Sequence, residues 1–413
     1  MSNLAITYDD VKAAAERIRS GNVVNTPAEY SHVLSDVTGA EIFLKFETFQ
    51  FTSSFKERGG LNCLLSLSDD ERKNGVIAVS AGNHAQSVAY HSTRLGIPAT
   101  IVMPKDTPFT KVKRTEELGA EVVLIGETFQ DAAVHARGLQ SERGLTLVHT
   151  FDDPHVMAGH GTLAIEFLDK YPDLEILVVP IGGGGLIAGI AVAAKAINPN
   201  IKIYGVQSEV YPSMKYALEG KSIHPATQTI AEGIAIKEPG MLTREVVREL
   251  VDDILIVSEK SIERAINCYA EKEKVVVEGA GAASLAAVSE FPELFESKKT
   301  GLIVSGANID PRILAYSLMR GLAQDGRISR LKVTTPDLPG GLAKLTNIIA
   351  EGGGNVMEVY HQRQFAPIPL KYTEINVVVE TKDIHHRNRL VKALEDAGFN
   401  VEVKGGAANE PLN

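Results

Sequence analysis

Between residues 76 and 305, short apolar runs alternate with segments of helical period. Residues 76–79, 99–102, 121–125, 176–179, 201–204 and 302–304 read as buried strands, with helices between them, for example at 85–95 and 163–170. Uninterrupted apolar strands alternating with helices predict α/β layering around mainly parallel sheets. Near residue 326 the pattern changes. A strand at 331–335 is followed by the tight loop Pro336-Asp337-Leu338-Pro339-Gly340-Gly341. A helix over 342–351 then places Leu342, Leu345 and Ile348/Ile349 on one face. Alternating strands at 355–362 and 372–380, split by a proline-bearing loop at 365–369, precede a helix at 387–397 and a strand at 399–403. The order β-α-β-β-α-β predicts a separate small α+β sandwich. The expected organisation is a first region over 1–325, a second domain over 326–405 and a tail over 406–413. No internal repeat or low-complexity tract is visible.

A chain of 413 residues suits two or three domains. Its 44% hydrophobic and 23% charged content is ordinary globular composition. The net charge of −10 argues against nucleic-acid and anionic-membrane partners. Met1-Ser2-Asn3-Leu4 is not a basic segment leading into an apolar run, so no signal peptide is expected. The apolar stretch 187–197 is too short to span a bilayer and carries Lys195. Cys63 and Cys268 lack metal-ligand spacing; buried thiols in a reducing cytoplasm are the expected reading.

Four strings carry candidate chemistry. In Ser53-Ser54-Phe55-Lys56-Glu57-Arg58-Gly59-Gly60, read as a short loop after a strand, Lys56 is a candidate amine nucleophile. A poorly solvated ammonium beside another cation loses its proton more easily. Ser80-Ala81-Gly82-Asn83-His84 lies between a strand and a helix, where N–H groups at a helix start make an anion site; an N-cap and turn is the rival reading. Gly182-Gly183-Gly184-Gly185-Leu186 also joins a strand to a helix and lets backbone N–H groups approach a phosphate closely. A dinucleotide fingerprint is its rival, but this string lies mid-chain with the wrong glycine spacing. Ser305 follows the last apolar strand in Val304-Ser305-Gly306-Ala307-Asn308, where Ser-Gly alone is a turn.

Together these strings resemble the fold-type II pyridoxal-phosphate enzymes, the tryptophan synthase β-like fold, with a two-domain catalytic unit in which a smaller subdomain at about 50–150 is inserted in the larger. The resemblance implies that Lys56 bonds covalently to pyridoxal phosphate, that Gly182 to Leu186 hold its phosphate, that Asn83 bonds its ring oxygen and that Ser305 meets its ring nitrogen. It also implies that Ser80 to His84 hold the substrate carboxylate, with His84 a structural hydrogen-bonder. A neutral serine at the ring nitrogen gives a weaker electron sink than an aspartate and favours expulsion of a β-substituent. Lys45-Phe46-Glu47, Phe151-Asp152-Asp153-Pro154, Ala231-Glu232-Gly233 and Glu278-Gly279-Ala280-Gly281-Ala282 extend the match over most of residues 40–310. The C-terminal sandwich resembles an ACT domain, and the whole resembles the shorter threonine dehydratases with one regulatory domain.

Several positions depart from that pattern. Ser53 stands where the family often has glycine, and His160 stands where glutamine is usual. Ala81 replaces the serine that racemases use as a second acid–base group, which disfavours racemisation. Gln207 occupies the expected first position of a cation site, so no metal is expected. The resemblance therefore implies β-elimination from L-threonine, with L-serine as poorer substrate, in a homo-oligomer answering to a small effector such as a branched-chain amino acid or nucleotide. Glu57 and Arg58 are read as structural neighbours of Lys56. The alternatives are a hydroxyaspartate dehydratase, a serine racemase/dehydratase, and a non-catalytic amino-acid sensor with a decayed catalytic half. Hydroxyaspartate would require an extra cation near the substrate side chain.

Overall fold

The computed structural model describes residues 4–223, 227–362 and 368–404, and the chain divides into two compact units, Met1–Ile309 and Asp310–Asn413. The tail, Met1 to Asn3 and residues 365–367 of the proline-bearing loop lie outside the described residues.

The first unit is built on two sheets. The smaller contains β3 (Val76–Val79), β4 (Ala99–Met103), β5 (Glu121–Leu124) and β6 (Thr146–Leu147), all parallel, in the order β5-β4-β3-β6. The larger contains β1 (Ala28–Tyr30), β2 (Glu41–Phe46), β7 (Ile176–Pro180), β8 (Lys202–Ser208), β9 (Asp253–Val257) and β10 (Lys299–Val304). Its order is β1-β2-β10-β7-β8-β9, and only β1 runs antiparallel to its neighbour. The strands of the small sheet lie in the chain between β2 and β7. Ile176–Pro180 is buried at every residue, as a strand covered on both faces must be. The 121–125 run, expected to be buried, forms an edge strand with no fully buried residue, because an apolar run does not distinguish edge from centre.

The helices Pro154–Lys170 and Gly185–Ile197 pack backbone to backbone over the large sheet. A Cβ at Gly189 would fall 2.1 Å from the Met157 carbonyl oxygen and 2.6 Å from the Gly161 nitrogen. Only glycine permits this approach. The apolar core of that layer includes Leu163, Phe167, Ile187, Ile190 and Ala194. Cys63 is buried and Cys268 half-buried; burial pushes both thiols up, Cys268 to about 11.

The second unit begins with the helix Pro311–Gln324. It continues through β11 (Ile328–Pro336), the helix Gly341–Glu351, β12 (Asn355–Gln362), β13 (Tyr372–Glu380), the helix Ile384–Asp396 and β14 (Asn400–Lys404). The sheet order β12-β13-β11-β14 is antiparallel throughout and compatible with an ACT-like sandwich. Leu331, Val333, Leu345, Ile349, Val377 and Leu390 form its core. The last helix starts at Ile384, three residues before the expected Arg387, because Asp383 caps it by accepting from the His386 N–H at 2.7 Å. No described helix is long and apolar enough to cross a membrane.

Candidate active site

Lys56 is not in a loop. It is the first residue of the helix Lys56–Leu65, whose residues Glu57 to Leu64 are all buried. A helix buried all round shows no amphipathic period, and two glycines further mask it in the sequence. The residues before it are fixed by the chain beyond β10. The Phe55 N–H donates to the Ser305 carbonyl oxygen at 3.0 Å, and the Ala307 N–H donates to that of Ser53 at 2.9 Å. Ser53, at φ 58°, takes the left-handed conformation that suits the family's glycine.

Lys56 is half-buried, and its amine lies deep and donates to the Thr150 carbonyl oxygen at 2.7 Å. Burial lowers its pKa to about 7, against the opposing pull of Glu278. The amine is thus available in neutral form near neutral pH. Arg58, two residues on, is held charged: burial opposes the charge, but Glu47 and Glu166 outweigh it. Its Nε and Nη2 meet the two Glu47 oxygens at 2.8 Å each, and Nη1 and Nη2 reach Glu166 at 2.7 Å. Lys45 also reaches Glu166 at 2.7 Å, so the Lys45–Glu47 string is a buried ionic frame under the Lys56 helix. Glu57 accepts from the Thr52 hydroxyl at 2.9 Å. His160 packs edge-on against Phe55 with ring centroids 4.7 Å apart, and neither ring nitrogen has a hydrogen-bond partner among the described residues. Burial, with Lys56 nearby, holds His160 neutral.

Thr150 leads directly to Phe151, and Phe151 packs under the glycine string. A Cβ at Gly183 would lie 2.2 Å from the Phe151 ring. Gly184, at φ 99°, is the N-cap of the helix Gly185–Ile197 and offers no capping side chain. Gly82, likewise without a side-chain cap, opens the helix Asn83–Leu95, and its Cβ position faces open space. Elsewhere Thr7, Ser68, Thr128 and Asp153 cap their helices, and Asp152 accepts from the first N–H groups of Met241–Leu250. The helix starts at Gly82 and Gly184 have no such partner, which leaves their first N–H groups for an anion.

The Ser80 hydroxyl accepts from the Gly82 N–H at 3.2 Å, and Ala81 lies between them. Asn83 donates to Glu278 Oε1 at 2.8 Å and accepts from Asn308 Nδ2 at 2.7 Å. His84 Nε2 meets the Val148 carbonyl oxygen at 2.9 Å, and burial, with Lys56 next, pushes the ring down to about 3. Ser305 is buried at the end of β10. Gln207 is engaged internally: its carbonyl accepts from the Lys215 N–H at 3.1 Å.

Glu278, at the N-cap of the helix Gly279–Glu290, is the group that sequence reasoning left among supporting matches. Burial raises its carboxyl to about 7, partly offset by the bond from Asn83. Its N–H donates to the Gly306 carbonyl oxygen at 3.0 Å, joining it to the segment that fixes Phe55. The signal available was an acid directly ahead of the small-residue string Gly279-Ala280-Gly281-Ala282, at the position where a helix starts.

This donor set fits pyridoxal phosphate: a deep primary amine for its aldehyde, an uncapped glycine-lined helix start for its phosphate and a neutral hydroxyl at Ser305. Residues 19–306 match the family described as "Pyridoxal-phosphate dependent enzyme". An L-threonine ammonia-lyase of Thermotoga maritima is 44% identical over 409 residues, covering 97% of this chain and all of that protein. The catabolic L-threonine dehydratase of Escherichia coli K12 is 44% identical over 312 residues, covering 75% of this chain and 94% of that protein. The structure of maize serine racemase superposes with a TM-score of 0.72 at 37% identity, over 77% of this chain and 98% of that one. The chain belongs to the pyridoxal-phosphate dependent enzymes and, within them, to the family of the L-threonine ammonia-lyases.

Proposed function

We propose that this enzyme converts L-threonine to 2-oxobutanoate and ammonia, with L-serine as a poorer substrate. The observation that carries the reading is the deep amine of Lys56, with a pKa of about 7, bonded to a carbonyl whose next residue floors the glycine string. The full-length likeness to the Thermotoga maritima protein supports the choice of substrate. In this reading Lys56 carries the cofactor, while Asn83, Gly182, Gly183, Gly184, Gly185, Leu186 and Ser305 hold it. When bound, pyridoxal phosphate supplies a sink for the electron pair left at the substrate's α-carbon.

The chain's own groups do the rest. The uncapped helix start at Gly82, with Ser80, Ala81 and Asn83, binds the substrate carboxylate. His84 keeps that loop seated through Val148. Released when the substrate's amine takes its place, the neutral Lys56 amine would take the α-proton. Loss of the β-hydroxyl as water leaves an enamine, whose hydrolysis gives the oxo acid and ammonia. Ala81 offers no proton on a second face, which sets this chain apart from a racemase. Oxo-acid formation from threonine, serine and both hydroxyaspartate diastereomers tests the reading. Fastest turnover of threonine supports it, and no turnover of threonine refutes it.

Residues 326–405 act in this reading as an ACT-like regulatory domain in a homo-oligomer, and the free thiols suit a reducing cytoplasm. The loop from Asp337 leads to Gly340, which at φ 84° opens the helix Gly341–Glu351 without a side-chain cap and suits a small carboxylate. A response to isoleucine or valine would link the reaction to isoleucine synthesis, and a response to adenosine nucleotides to energy supply. The expected coupling is about 1–3 kcal/mol. Titration calorimetry on the full chain tests it; absence of binding by all three ligand types refutes it.

A further inference from the structure

The helix Phe109–Glu117 follows β4 of the small sheet and buries Val112 in that sheet's apolar core. Lys111, on this helix, reaches across to Glu232, with Nζ 2.6 Å from Oε2. Glu232 opens the short turn Glu232–Ile234, which sits against the site. A Cβ at Gly182 would lie 3.2 Å from Ile234 Cα, and one at Gly233 would lie 3.2 Å from Glu278 Oε1. The pair therefore stands beside the Asn83–Glu278 bond, and both of its charges act on the Glu278 carboxyl.

Lys111 is 31% and Glu232 70% exposed, so the pair lies at the rim. An exposed ion pair contributes only about 0.2–1 kcal/mol to stability, which makes the fold a weak reason for its placement. Its charges matter more for what enters. Arg58 and Lys45, the other cations described above, are locked in the buried frame with Glu47 and Glu166. An amino acid with a second carboxylate needs an unpaired cation, and it meets a Lys111 already neutralised and a Glu232 that repels it. The methyl group of a neutral β-hydroxy amino acid needs neither.

We infer that the Lys111–Glu232 pair sets substrate class, barring amino acids that carry a second carboxylate. The inference rests on the ammonia-lyase reading. Removing the Glu232 charge leaves Lys111 as a free cation at the rim, an attraction weakened by salt because both groups are exposed. The test compares wild type, Glu232→Gln and the double variant Lys111→Gln/Glu232→Gln. It measures kcat/KM for threonine and for both hydroxyaspartate diastereomers, with calorimetric binding of succinate as a readout independent of turnover.

In Glu232→Gln, the hydroxyaspartate-to-threonine ratio and the succinate affinity should each rise about tenfold, as expected for one unpaired charge at a partly exposed site. Both gains should shrink at about 0.5 M salt, where the screening length falls below 5 Å, and both should vanish in the double variant. An unchanged ratio and unchanged succinate binding overturn the inference, as does a gain that survives loss of Lys111. A wild-type enzyme that prefers hydroxyaspartate also overturns it while leaving the lyase chemistry intact. Wild type without any β-elimination overturns the ammonia-lyase reading itself.

Discussion

Asn83 donates to Glu278 Oε1 at 2.8 Å, joining the helix that follows β3 of the small sheet to the helix that precedes β10 of the large one. Asn308 extends this link by donating to Asn83 Oδ1 and to the Thr52 carbonyl oxygen, each at 2.7 Å. The polar network thus spans the lysine string, the asparagine loop and the segment after Ser305.

The Glu278 carboxyl gives this link a pH signature. Its folded pKa, about 7, lies above the ordinary 4.5, so the folded chain holds a proton that the unfolded chain releases. The resulting stabilisation is complete below 4.5 and is lost as pH rises through 7. Glu278→Gln should remove this slope. Between pH 4.5 and 8, urea unfolding of the cofactor-free protein should show the variant gaining about 1–3 kcal/mol relative to wild type. Lys56 contributes the opposite slope, since its lowered pKa makes stability rise from about 7 towards 10.5.

Arg58→Ala should cost about 3–5 kcal/mol of unfolding free energy, because Glu47 is left charged and buried without its partner. Adding Glu47→Gln should recover part of the loss. A loss below about 1 kcal/mol in denaturant titration would show that Lys45 alone neutralises the two acids.

Ala81→Ser should raise formation of D-amino acid relative to oxo acid, by supplying a hydroxyl in the asparagine loop. Chiral chromatography of reactions with L-serine measures both products. Rapid racemisation by the unmodified enzyme would contradict the assignment of Ala81 as the missing acid–base position.

Period and turn chemistry made most of the scaffold legible: β3, β7 and the βαββαβ order all follow from apolar runs and their spacing. The run at 121–125 failed on burial because a strand's apolarity says nothing about whether it has one neighbour or two. The lysine string failed because a fully buried helix has no polar face to mark its period. The departure at His160 became intelligible only through packing: a neutral ring fills the space beside Phe55, and a Cβ on Gly59 would strike it at 2.3 Å. Glu278 was hardest to see, since a lone acid reads as surface until the fold places it against Asn83. The Lys111–Glu232 pair lies 121 residues apart in sequence and was invisible for the same reason.

The central claim is that Lys56 is the residue that carries the cofactor. Borohydride reduction of the holoenzyme followed by peptide mass mapping tests it most directly. The account predicts a pyridoxyl mass on the peptide containing Lys56, with loss of both the label and the visible absorbance in Lys56→Ala. A label on any other lysine, or a Lys56→Ala protein of near-normal activity, would contradict it.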